Sequence, residues 1–217
     1  MAGVGAHSTK QVLELANDAS EAGANYLLVL PPAYFGKATT PAVVKRFFAD
    51  IAAKALHPVV VYNFPGATNG VDIDSETIAD IVRTSKEASG GKSNVVGVKL
   101  TCAQVEKITQ LTAAFGPDEF AVFEGQSDFF IGVYRPAVQG WEVEKALALH
   151  RKAALAESPR KSKIVSTKYA AAIVSACRAG IENAEKFMPR TPYEAGEPAK
   201  ANVRKVMAEV IAIEDSL

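Results

Sequence analysis

Four short runs of consecutive apolar residues, "NYLLVLPP", "HPVVVYNFPG", "NVVGVKL" and "EFAVFEG", alternate with longer stretches whose apolar positions recur every three to four residues. A continuous apolar run suits a strand buried on both faces, and the longer period suits a helix with one buried stripe. Strands and helices alternating at this spacing are joined as right-handed parallel βαβ units. The rhythm confines this part of the chain to the α/β class, with helices laid on a parallel sheet.

Local signals mark where the helices begin and end. Ser8 and Gln11 have the spacing of a capping box, Val12, Leu15, Ala16 and Ala19 follow at helical period, and Gly23 offers a C-cap. Thr40-Pro41 supplies an N-cap and first helical residue for a second helix with Val44, Phe47, Phe48, Ile51 and Ala55 on its buried stripe. A third is expected to open between Asp72 and Glu76 and run to about Arg83. A fourth covers "TCAQVEKITQLTAAFG", ended by Gly116-Pro117.

After Gly125 the alternation stops. "QSDFFIGVYRPAVQGWEVEK" holds one short apolar run, Phe129 to Ile131, and no strand before a helix expected from about Trp141 to Ala156. The remainder reads as helix: Ser162 to Ala179 ending at Gly180, a turn around Pro189 and Pro192, and a terminal helix from about Ala199 to Asp215. The expected organisation is an α/β body over residues 1–157 followed by a helical domain over 158–217.

Composition removes several classes of function. Twenty-four basic residues balance twenty-four acidic ones without a long run of either sign, so neither a nucleic-acid nor an anionic-membrane partner is expected. Cys102 and Cys177 have no zinc-ligand spacing and do not suggest a disulfide framework. No apolar run approaches the roughly 20 residues of a membrane span, and "MAGVGAHSTK" lacks the pattern of a targeting segment, so a cytoplasmic protein with a small-molecule partner is expected.

One residue breaks the apolar pattern in a way that points to chemistry. Lys99 sits near the end of "NVVGVKLT"; strand alternation puts Val95, Gly97, Lys99 and Thr101 on one side and Val96, Val98 and Leu100 on the other. Tyr62 falls at the end of the preceding strand, before "NFPG". In parallel α/β sheets and barrels, sites are built at the carboxyl ends of the strands. Desolvation there favours a free amine over an ammonium, a free amine attacks ketones, and a neighbouring phenol can move the protons of imine chemistry. Spacing alone also admits a lysine that snorkels to solvent and a tyrosine that only packs.

The motifs carry a resemblance. "VYNFP" with "VVGVKLT" resembles the paired Tyr-Asn-x-Pro and Gly-x-Lys motifs of the dihydrodipicolinate synthase and N-acetylneuraminate lyase family of Schiff-base aldolases. "GVGAHST" resembles its Gly-x-Gly-x-x-Ser-Thr turn, "LPPAYFGK" its Pro-x-Tyr loop, and "VFEGQSD" the segment of its seventh strand, all in the family's order. The resemblance implies a TIM (β/α)₈-barrel fold with a C-terminal helical extension, assembled as a homo-oligomer. It implies Lys99 as the Schiff-base nucleophile and Tyr62 as the proton relay, with Tyr34, Gly125 and Ser127 binding substrate. No cofactor is implied.

Departures from the pattern narrow the expectation. Ala67 stands near the place where the synthase branch has a carboxylate-binding arginine, which favours a pyruvate-forming aldolase of 4-hydroxy-2-oxoglutarate or a 2-keto-3-deoxy sugar acid. Strands three to seven of the barrel are recognisable. The two βα units that precede the Gly-x-Gly turn in the family are not, nor is an eighth strand between Ile131 and Trp141. The expectation is therefore a shortened barrel with open edges. A catalytically inactive relative remains the alternative, and a phosphate-cradling use of residues 3–9, where His7 sits in the turn, a third reading.

Overall fold

The structure, a computed structural model, describes residues 1–126, 143–157, 164–186 and 194–215. The chain divides into two compact units, Met1–Gly125 and Gln126–Leu217. Ser127, the run 129–131, the stretch 131–141 and the turn at Pro189 and Pro192 lie outside the described residues.

The first unit is a five-stranded sheet: β1 (Ala2–Gly3), β2 (Leu27–Val29), β3 (Val59–Asn63), β4 (Val95–Leu100) and β5 (Ala121–Glu124). The strands lie side by side in sequence order, every neighbouring pair parallel. Between them run α1 (Thr9–Glu21), α2 (Pro41–Ala52), α3 (Ser75–Ala88) and α4 (Val105–Ala114). The sequential order is the expected consequence of βαβ units that all wind the same way.

Register assigns the two faces of the sheet. Leu27 pairs with Val59, Val29 with Val61, Val61 with Val98 and Asn63 with Leu100, so these residues share one face, and all seven are buried. The helices cover this face with Val12, Phe47, Phe48, Ile51, Ile78, Val82, Ile108 and Leu111. Each such side chain removed from water contributes about 1.5–3 kcal/mol. The other, inner face carries Leu28, Val60, Tyr62, Gly97, Lys99, Ala121 and Phe123.

The register corrects the simple alternation expected for β4. Val59 pairs with Val95 but Val60 pairs with Gly97, an irregularity that leaves Val96 as the extra residue. Val95 therefore joins Val98 and Leu100 on the helix-covered face, whereas Gly97 and Lys99 keep the inner one. A bulge reverses side-chain direction locally, which period-two counting cannot anticipate.

Capping follows the expected chemistry with differences in length. The Ser8 hydroxyl accepts from the Gln11 N–H at 3.3 Å, and Thr40 caps α2 with Pro41 in its first turn. Gly23 closes α1 at φ 87°, a conformation that costs a glycine little. Helix α3 runs to Ala88, beyond the expected end at Arg83, because the Ser85 hydroxyl accepts from the Asn94 N–H at 3.0 Å and secures the last turn against the start of β4. Helix α4 starts only at Val105: Thr101 donates its N–H to the Asn63 carbonyl at 2.8 Å, and Ala103 takes φ 59°, which a helix cannot contain.

In the second unit α5 (Val143–Ala156), α6 (Ile164–Ala171) and α7 (Glu197–Glu214) are described, and α6 passes into a wider π-type turn at Ala172–Ala176. Tyr169 and Val203 are fully buried. Lys200 and Arg204 on α7 lie over the Tyr169 ring at 5.9 and 5.3 Å from its centroid, adding a cation–π contact to the packing.

Candidate active site

Strands β3 and β4 are paired so that Tyr62 and Lys99 face each other across the ladder. Both side chains leave the inner face of the sheet, near the carboxyl ends of their strands. The Lys99 Nζ lies over the Tyr62 ring, 4.5 Å from its centroid. Tyr62 in turn stacks on Phe64, centroids 5.6 Å apart with the planes at 30°. Local sequence explains the placement: β-branched Val59 to Val61 hold β3 extended until "NFPG" turns the chain at its end.

Two glycines bring the neighbouring backbone close to the lysine. A Cβ at Gly97 would lie 2.7 Å from the Ala121 carbonyl oxygen, so only glycine lets β5 approach at this height. Gly125 donates its N–H to the Leu100 carbonyl at 2.7 Å, and a Cβ there would collide with the Thr101 hydroxyl oxygen. Gly125 thus fits against the end of the lysine-bearing strand through its backbone. Thr101 is buried beside it.

Tyr34 is placed differently. It stands on the loop between β2 and α2, 73% exposed, edge-on to Phe35 at 5.1 Å and to His7 at 6.2 Å. His7 acts as a turn residue: its Nδ1 accepts from the Ala33 N–H at 3.3 Å and ties the β1–α1 turn to the Tyr34 loop. The structure therefore brings Lys99, Tyr62 and Gly125 to one end of the sheet and leaves Tyr34 pointing into solvent there.

A concavity of about 1080 Å³ lies over the inner face at the opposite, amino end of the strands, with Tyr26, Pro58, Val96 and Phe123 in its wall. It does not include Lys99 or Tyr62. Its wall also carries the Lys86–Glu119 ion pair together with Lys92, Asn94 and Asp118.

On the helix-covered face the sequence concealed a polar cluster. Asn63 is fully buried, its Oδ1 accepting from the Ile73 N–H at 3.0 Å and its Nδ2 donating to Asp72 Oδ1 at 2.7 Å. Lys107, also buried, donates to Asp72 Oδ1 at 2.5 Å and to the Ile73 carbonyl at 2.9 Å. Helical spacing offered a signal for the lysine, since residues 107 and 111 lie on one face and Leu111 is core.

Among the described residues, no helix is long and apolar enough to cross a membrane, and no group of three or more His, Cys, Asp or Glu side chains is arranged to hold a metal ion.

Comparison with known proteins agrees with this architecture. A Coccidioides immitis protein provisionally named a mitochondrial 4-hydroxy-2-oxoglutarate aldolase is 57% identical over all of this chain and 74% of its own length. An Aspergillus niger L-threo-3-deoxy-hexylosonate aldolase is 36% identical over 52% of the chain and 32% of its own length. A crystal structure of a Coccidioides immitis protein provisionally assigned to the dihydrodipicolinate synthase family superposes with TM-score 0.83 at 52% identity, over 100% of this chain and 74% of that one. A monomeric dihydrodipicolinate synthase variant shares the fold at TM-score 0.75 and 23% identity, covering 96% of this chain and 72% of that one. The profile of the Dihydrodipicolinate synthetase family matches residues 1–140, and with these likenesses in sequence and barrel architecture the chain belongs to that family.

Proposed function

We propose that the protein is a pyruvate-forming class I aldolase that cleaves a 2-oxo acid, such as 4-hydroxy-2-oxoglutarate or a 2-keto-3-deoxy sugar acid, through an imine on Lys99. The observation that carries the reading is the Lys99 Nζ 4.5 Å above the Tyr62 ring at the carboxyl ends of paired strands. The amine adds to the C2 carbonyl and water leaves, giving an iminium. The C3–C4 bond then breaks, its electron pair flows into the iminium to form an enamine, and the C4 hydroxyl gives up its proton as the aldehyde departs. Tyr62 relays that proton; protonation of the enamine at C3 and hydrolysis release pyruvate and regenerate Lys99. No cofactor enters this sequence of steps.

Ala67, in the turn that follows β3, donates only its backbone N–H, to the Phe64 carbonyl, and offers no charge to a second carboxylate. That supports cleavage over the synthase reaction. Gly125 and Ser127 are assigned to substrate binding, and Tyr34 to the mouth of a neighbouring subunit's site in a homo-oligomer.

Incubation with pyruvate and borohydride followed by peptide mass spectrometry tests the reading. A reduced pyruvyl group on Lys99, absent from Lys99→Ala, is the expected result; an unmodified wild-type chain rules the mechanism out. A second reading, a non-catalytic relative, is favoured by Phe123, which stands 46% exposed on the inner face although parallel sheets bury both faces. The same trapping experiment separates the two.

A further inference from the structure

The imine chemistry uses the inner face of β3 and β4 and leaves the Asn63, Asp72 and Lys107 cluster on the other face without a role. Packing does not account for it. An apolar residue at position 107 would seat α4 without desolvating an ammonium, a substitution that is often neutral or stabilising in a protein interior. The 6%-exposed lysine instead joins three segments: its own helix, the loop 64–74 through Asp72 and the Ile73 carbonyl, and, by way of the Asp72 oxygen that Asn63 also bonds, the end of β3.

What the cluster closes is the loop that begins beside the site. Phe64, its first residue, stacks on Tyr62. The buried Thr68 hydroxyl makes 2.9 Å contacts with both the Phe64 and Val71 carbonyls, tightening the turn from within. At the far end, Ile73 donates to Asn63 at 3.0 Å and returns the chain to the residue next to Tyr62. The loop is fastened at both ends to the strand position that aims the tyrosine.

We infer that Asn63, Asp72 and Lys107 are positioning residues, which clamp the 64–74 loop to the end of β3 so that the Phe64 ring holds Tyr62 against Lys99. The inference rests on the assignment of Tyr62 and Lys99 as relay and nucleophile. A network that acts through Tyr62 loses its catalytic effect once the phenol is removed, whereas one that only stabilises the fold does not.

The test is a double-substitution cycle in the 217-residue chain, with cleavage of 4-hydroxy-2-oxoglutarate as the readout. Asp72→Asn keeps shape and an acceptor oxygen but removes the charge facing Lys107. It is expected to lower kcat by roughly 10- to 100-fold, the scale of small misplacements of a reacting group, while pyruvate still traps on Lys99. In a Tyr62→Phe background the same substitution is expected to change kcat by less than about twofold, because interacting positions are not additive. Equal losses in both backgrounds, or no loss beside Tyr62, overturn the inference. If Asp72→Asn does not fold, Lys107→Arg carries the same cycle, since it keeps the charge and alters its reach. A wild-type chain that forms no pyruvate adduct overturns the aldolase reading and this inference with it, a result seen before any substitution at position 72.

Discussion

At the scale of single residues, the site depends on the absence of two side chains as much as on the presence of two others. The methyl of Gly97→Ala would press on the Ala121 carbonyl, and that of Gly125→Ala on the Thr101 hydroxyl and, at 2.8 Å, the Leu100 carbonyl. Backbone atoms cannot rotate away, so each substitution is expected to destabilise the unit by about 1–3 kcal/mol in urea titration. Gly125→Ala should also lower the yield of the Lys99 adduct, because it displaces the end of the strand that bears the lysine. The facing of Lys99 and Tyr62 was legible here: a lysine in an apolar run and a tyrosine at the end of the preceding run are visible in one dimension. The collision at Gly97 was not, since it exists only once β4 and β5 are in register.

At the scale of elements, the helices owe their ends to capping and their stability to the stripe they bury. Asp74 caps α3, accepting from the Thr77 N–H at 2.7 Å and the Thr77 hydroxyl at 2.9 Å. Desolvation pushes its carboxyl upward, but these bonds, its own N–H and the Lys107 charge outweigh that and hold it below the usual carboxylate range. A depressed folded-state value stabilises the protein above the ordinary carboxylate pKa, and the contribution is lost as pH falls through the lowered one. Asp74→Ala is therefore expected to cost about 1 kcal/mol near neutrality, with a smaller difference from wild type in acid melts. On α2, Phe48 is completely buried, and Phe48→Ala should cost about 3–5 kcal/mol by the same titration. The stripe of α2 was readable from its period except at Ala55, which lies beyond the helix end at Ala52; the extra turn of α3 was not, because the bond that secures it comes from Asn94, beyond the helix.

At the scale of the whole molecule, the five strands form an open sheet among the described residues, with β1 and β5 at its edges. Central strands paired on both sides open only with the unit, whereas edges open locally. Native-state hydrogen exchange should find the slowest amides in β3 and β4 and faster ones in β1 and β5; uniform protection across the sheet would contradict this arrangement.

The sequence by itself determined the α/β class, the order of the elements, the helical character of the later part of the chain and the lysine–tyrosine pair, because each is written in local period, capping chemistry or motif. Only the tertiary structure decided which side of β4 Val95 occupies, how closely β5 approaches the strand of Lys99, and that Lys107 is buried against Asp72 and the Ile73 carbonyl rather than solvated. Those features arise from strand register and from contacts between residues some 35 positions apart, such as Lys107 and Asp72. Local propensity carries no information about which distant partner a buried charge will meet.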